Sequence, residues 1–205
     1  MGTDISGYIE CKRDYRVDFD ETDSLWHPAM DLDHLYDRRD YSAFGCLFGV
    51  RDSSFEPLAA DRGLPDDVSN RVAQLVEELG GRSPSWISWA ELEGADWDKA
   101  AEDVDPYVHE YIRQASGDDW RFHARGNHDG RFAQVSGLEG REALCPGQHC
   151  AEGTEWSDGD RLFRVERLTR RQAVPEAHWS PIWTVMRTLA ARHGAEYVRL
   201  VVWFD

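Results

Sequence analysis

His123 and His128 stand with four residues between them, and Cys145 and Cys150 follow with the same separation. Two imidazoles and two thiolates make the ligand set of a tetrahedral zinc shell, and a closed four-ligand site of that kind is structural rather than catalytic. Zinc-binding pairs usually leave about two to four residues between ligands, so both pairs lie at the wide limit. The run Cys145-Pro-Gly-Gln-His-Cys150 has the form of a tight knuckle in a segment poor in apolar residues, where a metal substitutes for a core. The same residues also fit a surface loop with free thiols and solvated histidines.

A second set of chemistry-bearing residues lies at the two ends of the chain. Ile5, Gly7, Ile9 and Cys11 alternate with Asp4, Ser6, Tyr8 and Glu10, so a period of two puts Asp4 and Glu10 on one face of a strand. Asp205 follows the last apolar run. Neighbouring carboxylates from such strands can hold a divalent cation or work as an acid/base pair, and they also fit a solvated strand face. Arginines near turns form a third set: Arg38, Arg39, Arg51 and Arg62. In Arg62-Gly-Leu-Pro65 a guanidinium precedes a helix start, which suits an anion. The alternative is that these arginines balance nearby carboxylates as surface pairs. Gly126-Asn-His-Asp129 is similar to one turn of the metallophosphoesterases, but the companion motifs of that family are lacking, so it reads as a β-turn. There is no P-loop, dinucleotide fingerprint or nucleophile elbow.

The elements that position these residues are legible in part. Residues 3–19 read as a β-hairpin, with Tyr15, Val17 and Phe19 alternating in its second arm. Val72, Leu75, Val76 and Leu79 sit at helical spacing after Pro65 and Ser69, and Gly80-Gly81 ends that helix. Ser88-Trp-Ala-Glu91 is a capping box that opens a short helix. Asp105-Pro106 predicts a further helix start, with Tyr107, Val108, Tyr111 and Ile112 on its inner face. Residues 119–168 read as a β- and loop-rich insert, and Ser180-Pro181 as the start of a helix closed by Gly194. Tyr197 to Phe204 is a nearly continuous apolar run, as expected of a central strand covered on both faces. Strands and helices in mixed order predict an α+β fold: a single domain over residues 1–205, with a central mixed sheet flanked by helices.

The 205 residues include nine tryptophans and are 41% hydrophobic, enough for a real core. The formal charge is −16, and it is uneven: residues 1–150 hold 31 acids against 15 bases, and 151–205 hold eight of each. Such a field opposes nucleic acid and anionic membranes and favours a small anionic molecule held locally, or a basic protein partner. Asp4 and Glu10 interrupt the start, so no secretory leader is read, and no apolar run approaches the roughly 18 residues of a membrane span. Four cysteines without such a leader point to a reducing cytoplasm.

The terminal segments carry a resemblance. Met1-Gly-Thr-Asp-Ile-Ser-Gly-Tyr-Ile-Glu10, Arg39-Asp-Tyr-Ser-Ala-Phe44, Val50-Arg-Asp52, Arg62-Gly-Leu-Pro-Asp-Asp-Val-Ser69, Ser83-Pro-Ser-Trp-Ile-Ser88 and Val198 to Asp205 resemble a family of uncharacterised proteins from bacteriophages and actinobacteria. That family typically opens Met-Gly-Cys-Asp-Ile-His, so Thr3 and Ser6 are departures, and residues 100–175 lie outside the match. The resemblance implies a shared fold unit and a phage or prophage setting, not a reaction. It groups Asp4, Glu10, Arg39, Tyr41, Arg51, Arg62, Trp86 and Asp205 as one site. The expectation is a non-catalytic protein that binds an anionic, nucleotide-like ligand through arginines and aromatic rings, as a phage or prophage accessory acting against host defence. The alternatives are a metal-dependent hydrolase using the strand-end carboxylates, and an acidic inhibitor of a basic partner.

Overall fold

The computed structural model describes residues 2–12, 25–114, 119–126 and 130–205. In chain order the strands are β1 (Ile5–Lys12), β2 (Trp26–Asp31), β3 (Arg82–Ser88), β4 (Val108–Arg113), β5 (Trp120–Gly126), β6 (Glu155–Asp158), β7 (Arg161–Arg164) and β8 (Val198–Phe204). The helices are α1 (Tyr41–Phe48), α2 (Asn70–Leu79), α3 (Trp89–Gly94), α4 (Gly130–Ser136), α5 (Gly140–Leu144), α6 (Arg170–Ala173) and α7 (Glu176–His193). The fold is α+β, with two four-stranded sheets. The chain forms two compact units: residues 1–99 with 170–205, and residues 100–169. The insert is therefore larger than the expected 119–168. Among the described residues no helix is long and apolar enough to cross a membrane.

The sheet of the first unit runs β2-β1-β8-β3, and every described pairing is antiparallel, so the expected mixed sheet is corrected. Its centre is β8, all seven of whose residues are buried. Val201 and Trp203 face α2, packing with Val72 and Val76. Leu200, Val202 and Phe204 face the opposite way, and Phe204 meets Phe44 and Phe48 of α1 edge-on. Gly7 of β1 lies where a Cβ would strike the carbonyl of Val201, so this strand pair approaches closely only because the residue is glycine. The predicted second hairpin arm (Tyr15, Val17, Phe19) lies outside the described residues; β1 pairs instead with β2. A bulge between Ile9 and Glu10 sets Glu10 opposite Pro28, which has no N–H to give the ladder.

Helix α2 forms as its sequence predicts, with the Ser69 hydroxyl accepting from the Val72 N–H and Gly80 closing the helix at φ 64°. The capping box at Ser88 and Glu91 opens α3, with both reciprocal bonds present. Helix α7 begins at Glu176, well before the expected Ser180-Pro181, and Pro181 lies inside it. Its buried stripe is Trp179, Ile182, Trp183 and Met186, and that burial outweighs the bond lost at the proline.

The second unit is the antiparallel sheet β5-β4-β7-β6 with α4 and α5. Here the helix expected from Asp105-Pro106 is a strand, β4. Tyr107, Val108, Tyr111 and Ile112 match helical spacing, but β-branched and aromatic residues favour a pleated surface once β5 and β7 pair on either side. One face of the sheet carries Val108 and Phe163 against Phe132 of α4, with Trp156 beside them. The other face carries a buried ionic network.

Candidate functional site

The eight residues grouped by sequence and resemblance do not form one site; they form two clusters on the first unit's sheet. The first surrounds Thr3. The Asp4 N–H donates to the Asp205 Oδ1 at 2.7 Å, Arg39 forks onto the Asp4 carboxylate, and the Thr3 N–H donates to the Tyr41 hydroxyl at 3.3 Å. Arg51 donates from Nε to the Thr3 hydroxyl at 2.6 Å and lies 5.9 Å over the Tyr41 ring. Its backbone has φ 73°, a conformation that costs a non-glycine residue roughly 1 kcal/mol or more and here aims the guanidinium at Thr3. The Arg39 hydrogen bond holds the Asp4 carboxyl below its ordinary range, and both side chains are exposed. Next along the chain, the Asp40 carboxylate accepts from His178 Nδ1 at 2.6 Å, tying the segment before α1 to the first turn of α7.

The second cluster lies further along the same strands. Glu10 is fully buried; it accepts from Arg199 Nε at 2.9 Å and from the Ser69 N–H at 3.1 Å. Arg199 also donates to Asp67 at 2.7 Å and packs 3.7 Å over the Trp26 ring. Trp86 takes Arg199 at 5.8 Å and Arg62 at 5.0 Å, so rings and guanidinium groups alternate as Trp26, Arg199, Trp86, Arg62. Burial would raise the Asp67 carboxyl, but bonds from Arg199 and Trp26 hold it below its ordinary value. Arg62 donates to both oxygens of Glu91 and to the carbonyls of Trp86 and Leu58.

Two expectations are corrected by this geometry. Asp4 and Glu10 are six residues apart on an extended chain, about 20 Å, so Asp4, Glu10 and Asp205 do not converge on a cation. The Arg62 guanidinium is also no ready anion site, because Glu91 and two carbonyls already occupy it; Arg39 is paired with Asp4 at the surface. These arginines fasten the sheet to its neighbouring loops.

The zinc set is not gathered either. Among the described residues no three His, Cys, Asp or Glu side chains are placed to hold a metal ion, and Asn127, His128 and Asp129, on which the expected turn falls, lie outside them. His123 is the extra residue of a bulge in β5: Ala124 pairs with Glu110 and Phe122 with Tyr111, leaving His123 unmatched. Cys145 and Cys150 are free thiols flanking a turn. Gly147 at its tip lies against the Asp105 carbonyl, where a Cβ would clash, and donates its N–H to the Pro106 carbonyl at 3.1 Å. The tightness read as a zinc knuckle is this backbone docking.

Sequence reasoning missed a cleft of about 510 Å³ in the first unit. Its apolar walls are Trp89 and Leu92 of α3, Trp97, Val174 and Trp183. Its charged lining is Glu93, Arg171, Glu176 and Arg187. Among the described residues no serine, cysteine, histidine or lysine lines it. Trp183 stacks on Trp179 at 5.2 Å and meets Trp89 at 6.4 Å, which fixes two walls. Trp97 is half-buried and pinned by its indole N–H, which donates to the Leu92 carbonyl at 3.0 Å. Arg187 lies 5.7 Å over Trp89 and has no ion-pair partner among the described residues. Arg171 is paired with Asp98, both highly exposed, a contact that a ligand can displace at little cost. The one sequence signal was Trp183 and Arg187 at i, i+4 on a helix face.

The second unit holds a different constellation. His109 is fully buried, with Nε2 2.8 Å from Asp105 and Nδ1 2.8 Å from Glu166. Burial alone would lower its pKa, but hydrogen bonds to the two carboxylates raise it, and a carboxylate at each nitrogen is the setting in which an imidazolium can donate from both. Asp105 also accepts from Arg125; burial pushes its carboxyl up, and these two donors together bring it below its ordinary value. Tyr111 donates to Glu166, and Arg164 lies over the Tyr111 ring at 5.3 Å. With both nitrogens occupied, His109 is a structural cation rather than a base open to substrate. Comparison with protein-family models, curated proteins and solved structures finds no match to this chain.

Proposed function

We propose that the protein is a non-catalytic binding protein whose tryptophan cleft takes a small organic anion with a flat aromatic ring. The observation that carries this reading is Arg187. It stands in a cleft walled by aromatic rings with no acidic partner among the described residues, whereas Arg39 and Arg62 spend their forks on Asp4 and Glu91. The ring would stack on Trp97, the less buried of the cleft's indoles, with Leu92 and Val174 beneath it. The acid group would meet Arg187. Glu176 and Arg187 are eleven residues apart on α7, about 16 Å along its axis, so an acidic and a basic group stand at separate points of the lining. Nucleotide-like ligands belong to this chemical class, and the phage-type resemblance of the terminal segments supports an accessory, anti-defence setting.

The test uses three naphthalene probes of one size: 1-naphthaleneacetate, 1-naphthalenemethanol and 1-naphthylmethylammonium, each titrated by calorimetry. Binding in the order anion, alcohol, cation is expected. Trp97→Ala should weaken the anion by about tenfold or more, the worth of one aromatic stack. Equal binding of all three probes, unaffected by Trp97→Ala, would overturn the reading.

A further inference from the structure

The unpaired charges of the tryptophan cleft are sorted by sign along α7. Glu176, Trp183 and Arg187 are separated by seven and eleven residues from the first, each close to a whole number of helical turns, so they share one stripe of the helix. Arg187 stands at the Trp89 end, over that ring. The opposite end holds Trp97, because the Arg171 N–H, five residues before Glu176, donates to the Trp97 carbonyl at 2.9 Å. Glu93 belongs to that end too, since it follows Leu92, whose carbonyl holds the Trp97 indole. Neither Glu93 nor Glu176 has an ion-pair partner among the described residues.

We propose that the ligand of this cleft is an aromatic peptide with free ends, about three residues long, its carboxylate at Arg187 and its ammonium at Glu176. The proposal rests on the cleft's reading as a site for an acid and a ring, and adds the group that stands at the far end. Glu176 and Arg187 are about 16 Å apart along α7. An extended tripeptide carries its terminal charges about 10 Å apart, and a hydrogen bond of about 2.9 Å at each end brings its span close to that distance. A single amino acid holds its two charges about 3 Å apart and cannot reach both. An aromatic side chain on the middle residue stacks on Trp97, with Leu92 and Val174 beneath it. The four charged residues of the lining are exposed, so the peptide's own N–H and C=O groups stay hydrated along that rim. Arg171 lines the same end as the two carboxylates, so an ammonium alone gains little there. Once the acid group is fixed at Arg187, the ammonium is delivered at high effective concentration.

The experiment titrates Gly-Trp-Gly into the full chain by calorimetry at about pH 6.5, where a terminal amine is charged. Its N-acetyl form, its C-terminal amide, the dipeptide Gly-Trp and 1-naphthaleneacetate are titrated beside it. Gly-Trp-Gly should bind about fivefold more tightly than its N-acetyl form, the upper range for an ion pair at an exposed site, and Gly-Trp, one residue short, should be about as weak as the acetylated peptide. In Glu176→Gln, an exposed position, the gap between free and acetylated peptide should shrink below about twofold. Amidation probes the other end and should cost about tenfold. Three results would overturn the peptide even where 1-naphthaleneacetate binds well: equal binding of the free and acetylated peptides, Gly-Trp binding as tightly as Gly-Trp-Gly, or an unchanged gap in Glu176→Gln. If instead 1-naphthaleneacetate fails to bind and amidation costs nothing, the acid-and-ring reading of the cleft falls, and the peptide with it.

Discussion

The two units build sheets of equal strand number and bury opposite chemistry at the middle of them. In the first, the central strand β8 is Val-Arg-Leu-Val-Val-Trp-Phe, with Arg199 its one charge, and aromatic rings from α1 and valines from α2 close its faces. In the second, the inner strand β4 buries Val108, His109 and Glu110 in succession. The first unit rests mainly on apolar area, whose contribution hardly changes with pH, around one buried ion pair of Glu10 with Arg199. The second rests on an imidazolium held by two carboxylates, so its stability follows the protons.

The sharpest way to break this contrast is His109→Phe. The ring is replaced by one of similar shape, and Asp105 and Glu166 lose a buried cation, which should cost about 3–5 kcal/mol. Hydrogen exchange should show the loss in the amides of β4 and β7; unchanged protection there would mean the network is ornamental. In the first unit, Leu200→Ala empties fully buried volume and should cost about 2–5 kcal/mol, with the loss in β1, β3 and β8. If that loss varied with pH as the second unit does, the contrast would fail.

The pH dependence sharpens it further. The folded pKa of His109 is raised, so its contribution is complete below the unfolded value of about 6.5 and disappears as pH rises through the folded value, by about 1.4 kcal/mol per pH unit between the two. Asp105 is lowered, so its contribution is present above about 3.9 and lost as pH falls through the folded value. Amide protection in β4 should therefore peak between those limits, while protection in β8 stays nearly level above the acid range in which Asp67 takes up its proton. A flat profile in β4 would contradict the imidazolium. The smallest effect belongs to Asp4→Asn: this exposed ion pair with Arg39 should change stability by less than about 0.5 kcal/mol, as urea denaturation would show.

Local signals were the ones legible in sequence. Helices α2 and α3 were readable because Ser69, Gly80 and the Ser88–Glu91 box act within a few residues. The run at Val198–Phe204 announced a buried central strand by composition alone. β4 was misread because pairing with β5 and β7, which are separate stretches of the chain, overrides spacing that looks helical. The matching segments grouped eight residues as one site, but did not show that they would divide into two clusters or that Arg39 would be spent on Asp4, since partner choice depends on side-chain reach in three dimensions. The tryptophan cleft was invisible because residues 89–97, 171–176 and 183–187 contribute to it and no motif joins them.

The central claim is that the ligand arginine is Arg187 and not the motif arginine Arg62. It is tested most directly by titrating 1-naphthaleneacetate into Arg187→Ala and Arg62→Ala side by side. The account predicts that Arg187→Ala loses at least about tenfold in affinity and that Arg62→Ala binds like the parent protein, since Glu91 already holds that guanidinium. Retained binding in Arg187→Ala together with loss in Arg62→Ala would contradict it.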